Sequence, residues 1–351
     1  MTAASLFLLL FTSARAQSQT PVGFLPGLAE GPDVWQNSGA SLAAAFNIAP
    51  FYPFLPSTDP MATQAFALGS VATNAFLVGH SAGGVVARLK AQPLGGQQNF
   101  AGIITLGTPN YGAPILTTYP VFCSFLGGTV FDAALLALSL NRPADDWIID
   151  NLEPDYGWGL GLLGVGCDYL VAQISGIGTP AAFDLSASST FMNSLNAAGN
   201  VAVEQANVPI EASVVITTAN FYDSGWLKAA FPDGPAEAWG HVLQGLAGLM
   251  VGEAVYIELN SDPEDQHAID VANHLFDFAD DILFMDEAWC ESVSGTLFLC
   301  SNNDETVPVW SQALGRGTTF AIDGGPVHTR EAQAAGALLP GVLSALGFSP
   351  R

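Results

Sequence analysis

The stretch Gly79-His80-Ser81-Ala82-Gly83-Gly84 decides the fold, because it joins an apolar run at residues 75–78 to a helix-forming segment at residues 85–90. In a nucleophile elbow, a serine sits on a strained turn between strand and helix, and glycines two residues before and after it remove side chains that would collide. Gly79 and Gly83 occupy those two positions. The pattern predicts Ser81 as a nucleophile, and its alternative is a glycine-rich turn with a solvated serine.

Short apolar runs on both sides of this turn indicate a parallel sheet. Each run has the length and composition of a buried strand, and helical segments alternate with the early ones. The predicted strands lie at residues 22–25, 75–78, 102–106, 214–217, 296–299 and 320–322. A helix is predicted to begin at Asp262 as the capping residue, with an apolar face over residues 269–283. A last helical stretch at residues 331–346 is expected to break at Pro340. The fold class is therefore α/β.

The 351 residues fit one domain carrying an insertion better than two independent domains. Residues 1–16 hold an apolar run at 6–11 followed by Ala14-Arg15-Ala16, which predicts a signal peptide and its cleavage site. We expect a secreted chain, extracellular or periplasmic, with one domain over residues 17–351. Glycine-rich and leucine-rich stretches at about residues 115–190 are interpreted as a cap or lid.

Two longer segments resemble the lipase-type α/β-hydrolases. These are Gly79-His80-Ser81-Ala82-Gly83-Gly84-Val85-Val86-Ala87-Arg88 and Ile104-Thr105-Leu106-Gly107-Thr108-Pro109-Asn110-Tyr111-Gly112. Asn110 stands where the family usually has histidine. The resemblance implies a mostly parallel central sheet flanked by helices with a helical cap insertion. It also implies a lipase or carboxylesterase that cleaves esters through an acyl-enzyme on Ser81. The glycine-rich and leucine-rich cap predicts that the substrate is a lipid or another apolar ester.

A serine nucleophile needs a base and a carboxylate that orients it, in the chain order Ser, Asp, His for this fold. His328 follows the strand at 320–322 and precedes the last helix, where the family carries its base. His267 and His274 fall in an acidic helix, His241 precedes another helix, and His80 is the variable residue inside the elbow. The segment Asn303-Asp304-Glu305-Thr306-Val307-Pro308 resembles the family's Asp-Gly-Thr-Val-Pro, so Asp304 is the expected acid. Asp223 is the rival.

The oxyanion hole should use two backbone N–H groups, one from the residue after the nucleophile and one from the loop after the first strand. Ala82 supplies the first donor. Phe24-Leu25-Pro26-Gly27-Leu28 stands where the family has His-Gly-x, so Leu28 is the expected second donor, and a plain turn at Pro26-Gly27 is the alternative.

Charge and composition exclude several classes of function. A formal net charge of −24, from 32 acidic and 8 basic residues, argues against binding nucleic acid or anionic membranes. No membrane span is expected after the signal, so contact with a lipid interface would be transient. We expect no metal and no cofactor, because neither a phosphate-binding loop nor a metal-ligand spacing occurs.

Four cysteines, an even number, suit an oxidising compartment. Of the three possible connectivities, we favour Cys290 with Cys300 and Cys123 with Cys167, and four buried free thiols are the alternative. Two other functions stay open from the sequence. An acyltransferase would use the same three residues with an alcohol in place of water, and a secreted binding protein could keep the elbow without catalysis.

Overall fold

Six parallel strands form the centre of the structure in the part of the chain that it describes. The computed structural model describes residues 18–118, 179–217, 236–262, 265–294, 304, 306–326 and 328–351. The strands are β1 (Thr20–Leu25), β2 (Ile48–Phe51), β3 (Phe76–His80), β4 (Gly102–Leu106), β5 (Ile210–Thr217) and β6 (Thr318–Asp323). Their order in the sheet is β2-β1-β3-β4-β5-β6, and each neighbouring pair is parallel.

Helices connect and cover these strands. Along the chain they are α1 (Gln36–Ala45), α2 (Met61–Ala67), α3 (Ala82–Ala91), α4 (Pro180–Leu185), α5 (Thr190–Leu195), α6 (Ala198–Asn207), α7 (Ala236–Asn260), α8 (Gln266–Ser294), α9 (Val309–Gln312), α10 (Glu331–Leu338) and α11 (Pro340–Ala345). The long helices α7 and α8 pack on each other through Ala254, Val271, Ala272 and Leu275. Among the described helices, none is long and apolar enough to cross a membrane.

The inner strands of the sheet are buried on both faces, because their side chains alternate between the faces and helices cover each face. Val22 and Phe24 of β1, with Val78 of β3, belong to the core that Trp35 and the C-terminal helices cover. Leu25 and Leu77, one position away, belong to the core that α2 and α3 cover on the other face. The inner strands β1, β3 and β4 are therefore largely apolar, as the short apolar runs in the sequence indicated, whereas the edge strand β6 is largely exposed.

The strand order reverses at β1, because the chain leaves β1 for β2 on one side and returns to β3 on the other. In open parallel sheets, such a switch point leaves a crevice at the carboxyl ends of the strands. Leu25 at the end of β1 pairs in register with Gly79 near the end of β3. The loop after β1 and the turn after β3 therefore leave the sheet side by side.

The predicted fold class is confirmed, and the strands expected at residues 22–25, 75–78, 102–106, 214–217 and 320–322 lie within β1, β3, β4, β5 and β6. The break at Pro340 is confirmed between α10 and α11. The predicted cap of α8 was wrong by three residues. Its first turn is held by Asp265, whose Oδ1 accepts the N–H of Ala268 at 3.3 Å.

Several predictions fall outside the described residues. They are the signal peptide at residues 1–16, most of the cap at 115–190, the strand at 296–299 and the rival acid Asp223. The four cysteines also lie where no side chain is described, so both disulfides stay predictions.

Candidate active site

Ser81 occupies the turn between β3 and α3 with a backbone that is rare for a residue with a side chain. Its φ is 49° and its ψ is −125°, and its N–H donates to the carbonyl of Leu106 at 3.0 Å. The turn is possible because of its glycines. A Cβ at Gly79 would collide with the backbone nitrogen of Gly84, and one at Gly83 would lie 2.5 Å from the carbonyl oxygen of Leu25. The sequence thus folds here into the strained turn that its glycine spacing predicts.

Ser81, His328 and Asp304 form a continuous hydrogen-bonded chain. The Oγ of Ser81 lies 2.8 Å from Nε2 of His328, across 247 residues of sequence. On the other side of the ring, Nδ1 of His328 lies 2.8 Å from Oδ2 of Asp304. A carboxylate only accepts, so Nδ1 carries the proton and Nε2 is left free to accept one from the serine hydroxyl. This arrangement can remove the proton of Ser81 as its oxygen attacks an electrophile.

Asp304 is held in place by the backbone around it. Its Oδ1 accepts the N–H groups of Thr306 at 3.1 Å and Val307 at 2.7 Å, so that only Oδ2 faces His328. Its carbonyl accepts the N–H of His328 at 2.9 Å. The side chain is fully buried, and His328 is 6% exposed. Asp304 is therefore fixed relative to His328 at two points.

Of the two residues expected to form the oxyanion hole, Ala82 follows the serine directly, and the loop that contains Leu28 approaches the serine at Gly27. Ala82 is the first residue of α3, and Leu28 is half-buried in the loop after β1. Between Leu28 and the strand, Gly27 approaches Ser81 so closely that a Cβ on Gly27 would lie 3.1 Å from Cβ of Ser81. The loop and the elbow are thus in direct contact.

A second set of ionisable residues adjoins these three, and the sequence interpretation missed it. His80, treated from sequence as a variable residue of the elbow, places Nδ1 3.0 Å from Oε2 of Glu30 and Nε2 2.9 Å from the carbonyl oxygen of His328. The same Oε2 of Glu30 accepts the N–H of Gly27 at 2.7 Å. Nothing in the local pattern around Glu30 signals this contact, because it forms across the sheet's carboxyl edge.

Glu331 completes this set from the start of α10. Its Oε2 lies 3.5 Å from Nε2 of His80 and 3.7 Å from Nδ1 of His328. The residue is fully buried, and neither carboxylate oxygen has a hydrogen-bond partner among the described residues. Its Oε2 therefore lies close enough to both imidazole rings to act on them through its charge.

Two of the solved structures similar to this chain are bacterial lipases. The mature form of Bacillus licheniformis lipase BlEst2 is 15% identical, with a TM-score of 0.48 over 94% of this chain and 92% of that chain. Lipase 1 from Pelosinus fermentans is 12% identical, with a TM-score of 0.46 over 93% of this chain and 98% of that chain. No protein-family model and no curated protein matches the chain. At these identities the likeness concerns the fold alone, and the chemistry has to be argued from the site.

Burial and neighbouring charges shift the pKa values of four ionisable groups of the site. Burial alone would lower the pKa of His328, but Asp304 and Glu331 raise it above its usual value. Burial also opposes the charge on His80, yet Glu30 and Glu331 raise the pKa of His80 well above its usual value. Burial would raise the pKa of Glu30, and the adjacent His80 instead lowers it. Burial, with Asp304 nearby, raises the pKa of Glu331 to about 7.

His80, His328 and Glu331 could in principle offer three metal ligands, because one donor atom of each lies within 4.8 Å of the others. The relevant nitrogens, however, already face acceptors. Nε2 of His80 faces a carbonyl and Nδ1 of His328 faces a carboxylate, so both carry protons where a metal would need lone pairs. The donor set fits proton-mediated chemistry better than metal binding.

A buried ion-pair network anchors the helix that follows the serine. Arg88 of α3 is fully buried, and its Nε lies 3.0 Å from Oε1 of Glu204, which also pairs with Arg316 at 2.7 Å. Arg88 donates to the carbonyl of Asn110 at 3.0 Å, and Nδ2 of Asn110 donates to the carbonyl of Gln312 at 2.6 Å. Asn110, the departure from the lipase pattern, therefore has a structural role in this network.

Proposed function

We propose that the protein is a serine ester hydrolase, a lipase or carboxylesterase, with Ser81 as nucleophile, His328 as base and then acid, and Asp304 as the orienting carboxylate. One observation carries the proposal. The two 2.8 Å contacts that join Ser81 to His328 and His328 to Asp304 meet at a strained turn between strand and helix. A structural hydrogen bond would not require that strain, whereas a hydroxyl held at the sharp turn for attack does.

The reaction follows from which atom holds the proton. Nε2 of His328 takes the hydroxyl proton while Oγ of Ser81 bonds to the ester carbonyl carbon, and the carbonyl oxygen becomes an anion. The carbon–oxygen bond to the alcohol then breaks, and His328 returns its proton to that alcohol. Water repeats the sequence on the acyl-enzyme and releases the carboxylic acid and free Ser81. Asp304 stabilises the imidazolium formed in each half-reaction.

The oxyanion is proposed to be received by the N–H groups of Ala82 and Leu28. Support comes from the contact between the loop after β1 and the elbow, and from the way Glu30 fixes the N–H of Gly27. Preorganised donors of this kind account for about a hundred- to a thousandfold in kcat when one is removed.

The finer part of the proposal is that the substrate is a lipid or another apolar ester. In the described part of the chain, α7 carries exposed apolar side chains along one face: Leu249, Tyr256 and Leu259 are 73%, 61% and 78% exposed. Exposed apolar faces of this kind are typical of surfaces that meet apolar ligands or interfaces. Rates over esters with acyl chains of increasing length test it, since a strict preference for acetyl esters contradicts an apolar substrate.

Secretion is proposed on the sequence of residues 1–16 and on the acidic, cysteine-containing chain. Mass spectrometry of the expressed, processed protein tests it. A mature N-terminus near Gln17 supports secretion, and a chain that keeps residues 1–16 contradicts it.

The central experiment compares Ser81→Ala with Ser70→Ala, which removes an exposed hydroxyl. We expect Ser81→Ala to abolish hydrolysis of a chromogenic ester and labelling by a fluorophosphonate, with thermal unfolding unchanged. Ser70→Ala should behave as the wild type. Full activity in Ser81→Ala, or a wild-type protein that neither hydrolyses esters nor becomes labelled, would refute the proposal.

A further inference from the structure

His80 lies directly behind the proposed active site with both ring nitrogens in contact with acceptors. We propose that His80 is a positioning residue. Its imidazolium links the loop after β1, residues 26–30 and here called the oxyanion loop, through Glu30 to the catalytic base His328. The proposal rests on the proposed function, because the groups that it connects are those of the ester hydrolysis. It assigns a role to a residue that does not contact Ser81 by a hydrogen bond or bind substrate.

The hydrogen-bond partners require the charged form of this ring. The carbonyl oxygen of His328, 2.9 Å from Nε2, can only accept, so Nε2 carries a proton. Oε2 of Glu30, 3.0 Å from Nδ1, already accepts the N–H of Gly27 and belongs to a part-exposed carboxylate. Nδ1 therefore also donates. A neutral imidazole has one N–H and would leave one of these two acceptors without its donor.

Each end of the ring holds a different part of the site. Through Glu30, His80 fixes Gly27, which lies against Ser81 in the loop that leads to Leu28. Through the carbonyl of His328, it fixes the backbone of the residue whose Nε2 faces the serine hydroxyl. Because both links share one ring, losing a proton from His80 breaks one of them, either to Glu30 or to the carbonyl of His328, and the loop and the base are no longer held by the same ring.

The charged groups around His80 account for its stability as a buried cation. Glu30 and Glu331 face it at 3.0 and 3.5 Å, and the ring of His328 lies 4.9 Å away between centroids. Asp304 lies beyond His328 on the other side. His80 is 2% exposed, so these charges act with little screening by water. Glu331 also separates the charge of His80 from the imidazolium that forms on His328 during the reaction.

The charge on His80 sets how activity should depend on pH in alkaline solution. Glu30 and Glu331 raise the pKa of His80 well above its usual value, so the ring stays charged at neutral pH and loses its proton only in alkaline solution. The active form also needs a neutral His328. The deprotonation of His328, together with that of Glu331, therefore sets the acid limb of the profile of activity against pH. Activity should therefore fall twice, at low pH when His328 is protonated and at high pH when His80 loses its charge.

The test separates the charge on Glu30 from its hydrogen bonds. In Glu30→Gln, the amide oxygen can still accept from Gly27 and His80, but the negative charge is gone. We expect the alkaline limb of kcat to move to lower pH while the acid limb and KM stay close to those of the wild type. His80→Gln should lower kcat by about ten- to a hundredfold, the range for losing a charge-assisted hydrogen bond, with KM little changed. Glu258→Gln, at an exposed position of α7, is the matched control for the loss of one carboxylate.

A second measurement does not depend on activity. In protein with ¹⁵N-labelled histidine, the signals absent from His80→Gln identify the ring of His80, and at pH 8 both nitrogens should be protonated. A neutral His80 at pH 8 overturns the proposal, as does a pH profile of Glu30→Gln equal to that of Glu258→Gln in an active enzyme. A wild-type protein without esterase activity contradicts the proposed function instead, and the state of His80 is then still read from its spectrum.

Discussion

Replacing Asp304 by asparagine should reverse the tautomer of His328 while leaving the shape of the site unchanged. Oδ1 of Asp304 accepts two backbone N–H groups, at 3.1 and 2.7 Å, and Oδ2 faces Nδ1 of His328 at 2.8 Å. In the variant, the amide oxygen must take the Oδ1 position, because turning the amide would place its NH₂ against two donors. Turning the amide would cost about 2–6 kcal/mol, because it would leave two backbone donors without acceptors.

The amide NH₂ of the variant therefore faces Nδ1 of His328, and that nitrogen has to accept. The proton moves to Nε2, which can no longer take one from the hydroxyl of Ser81. The same change of tautomer in serine hydrolases lowers kcat by about four orders of magnitude, or about 5 kcal/mol of transition-state stabilisation. We expect a loss of that size here, with KM much less affected.

The assay is steady-state hydrolysis of a chromogenic ester, with the fraction of folded protein checked by thermal unfolding. Asp33→Asn, at an exposed position, is the control for the same chemical change and should keep full activity. A decrease in kcat of less than about tenfold in Asp304→Asn would show that Asp304 does not set the tautomer of His328.

Three further variants test the surroundings of the site. Glu331→Gln should raise the free energy of unfolding at pH 8 by on the order of 3 kcal/mol, because the folded protein holds this carboxyl at a pKa of about 7 against 4.5 when it is unfolded. The gain should shrink as the pH falls towards 4.5, and an equal gain at both pH values in urea titrations contradicts this reasoning. Glu204→Ala should lower stability by about 3–5 kcal/mol in the same titrations, since it leaves Arg88 buried without its carboxylate; a loss equal to that of Glu258→Ala refutes it. Gly79→Ala should cost more than about 2 kcal/mol by collision with the backbone of Gly84, whereas Gly199→Ala, where nothing lies within 4 Å, should be neutral or slightly stabilising, and similar melting temperatures for the two would be inconsistent with the collision.

The sheet and the residues Ser81, His328 and Asp304 could be predicted because short stretches of sequence indicate each of them. The glycines of the elbow, the apolar runs and the turn chemistry each depend on a few neighbouring residues, and the structure brings Ser81, His328 and Asp304 together as the motifs indicated. Their roles in catalysis stay predictions until the variants are measured. The expected order of strand, elbow and helix needed no knowledge of the packing around it.

The second set of ionisable groups could not be predicted because it has no local pattern. Glu30 and Glu331 stand 301 residues apart in number, and only the parallel register of the strands places both beside His80. The helix start at Asp265 instead of Asp262 has a simpler cause. Several acidic residues in succession can each cap a helix, and the sequence does not show which of them meets the first free N–H group.

The unbroken parallel register of the sheet also bears on how this protein could be altered by evolution or design. Long connections separate β4 from β5 and β5 from β6, yet both pairs align residue by residue. The entropy of closing a loop grows slowly, by about 0.6 kcal/mol for each doubling of its length. Stretches of these connections that contain neither Asp304 nor the ion-pair network of Glu204 can therefore be lengthened or shortened at little thermodynamic cost. An insertion inside a strand would instead turn its side chains to the opposite face. Changing the length of such stretches is thus the practical way to alter this scaffold.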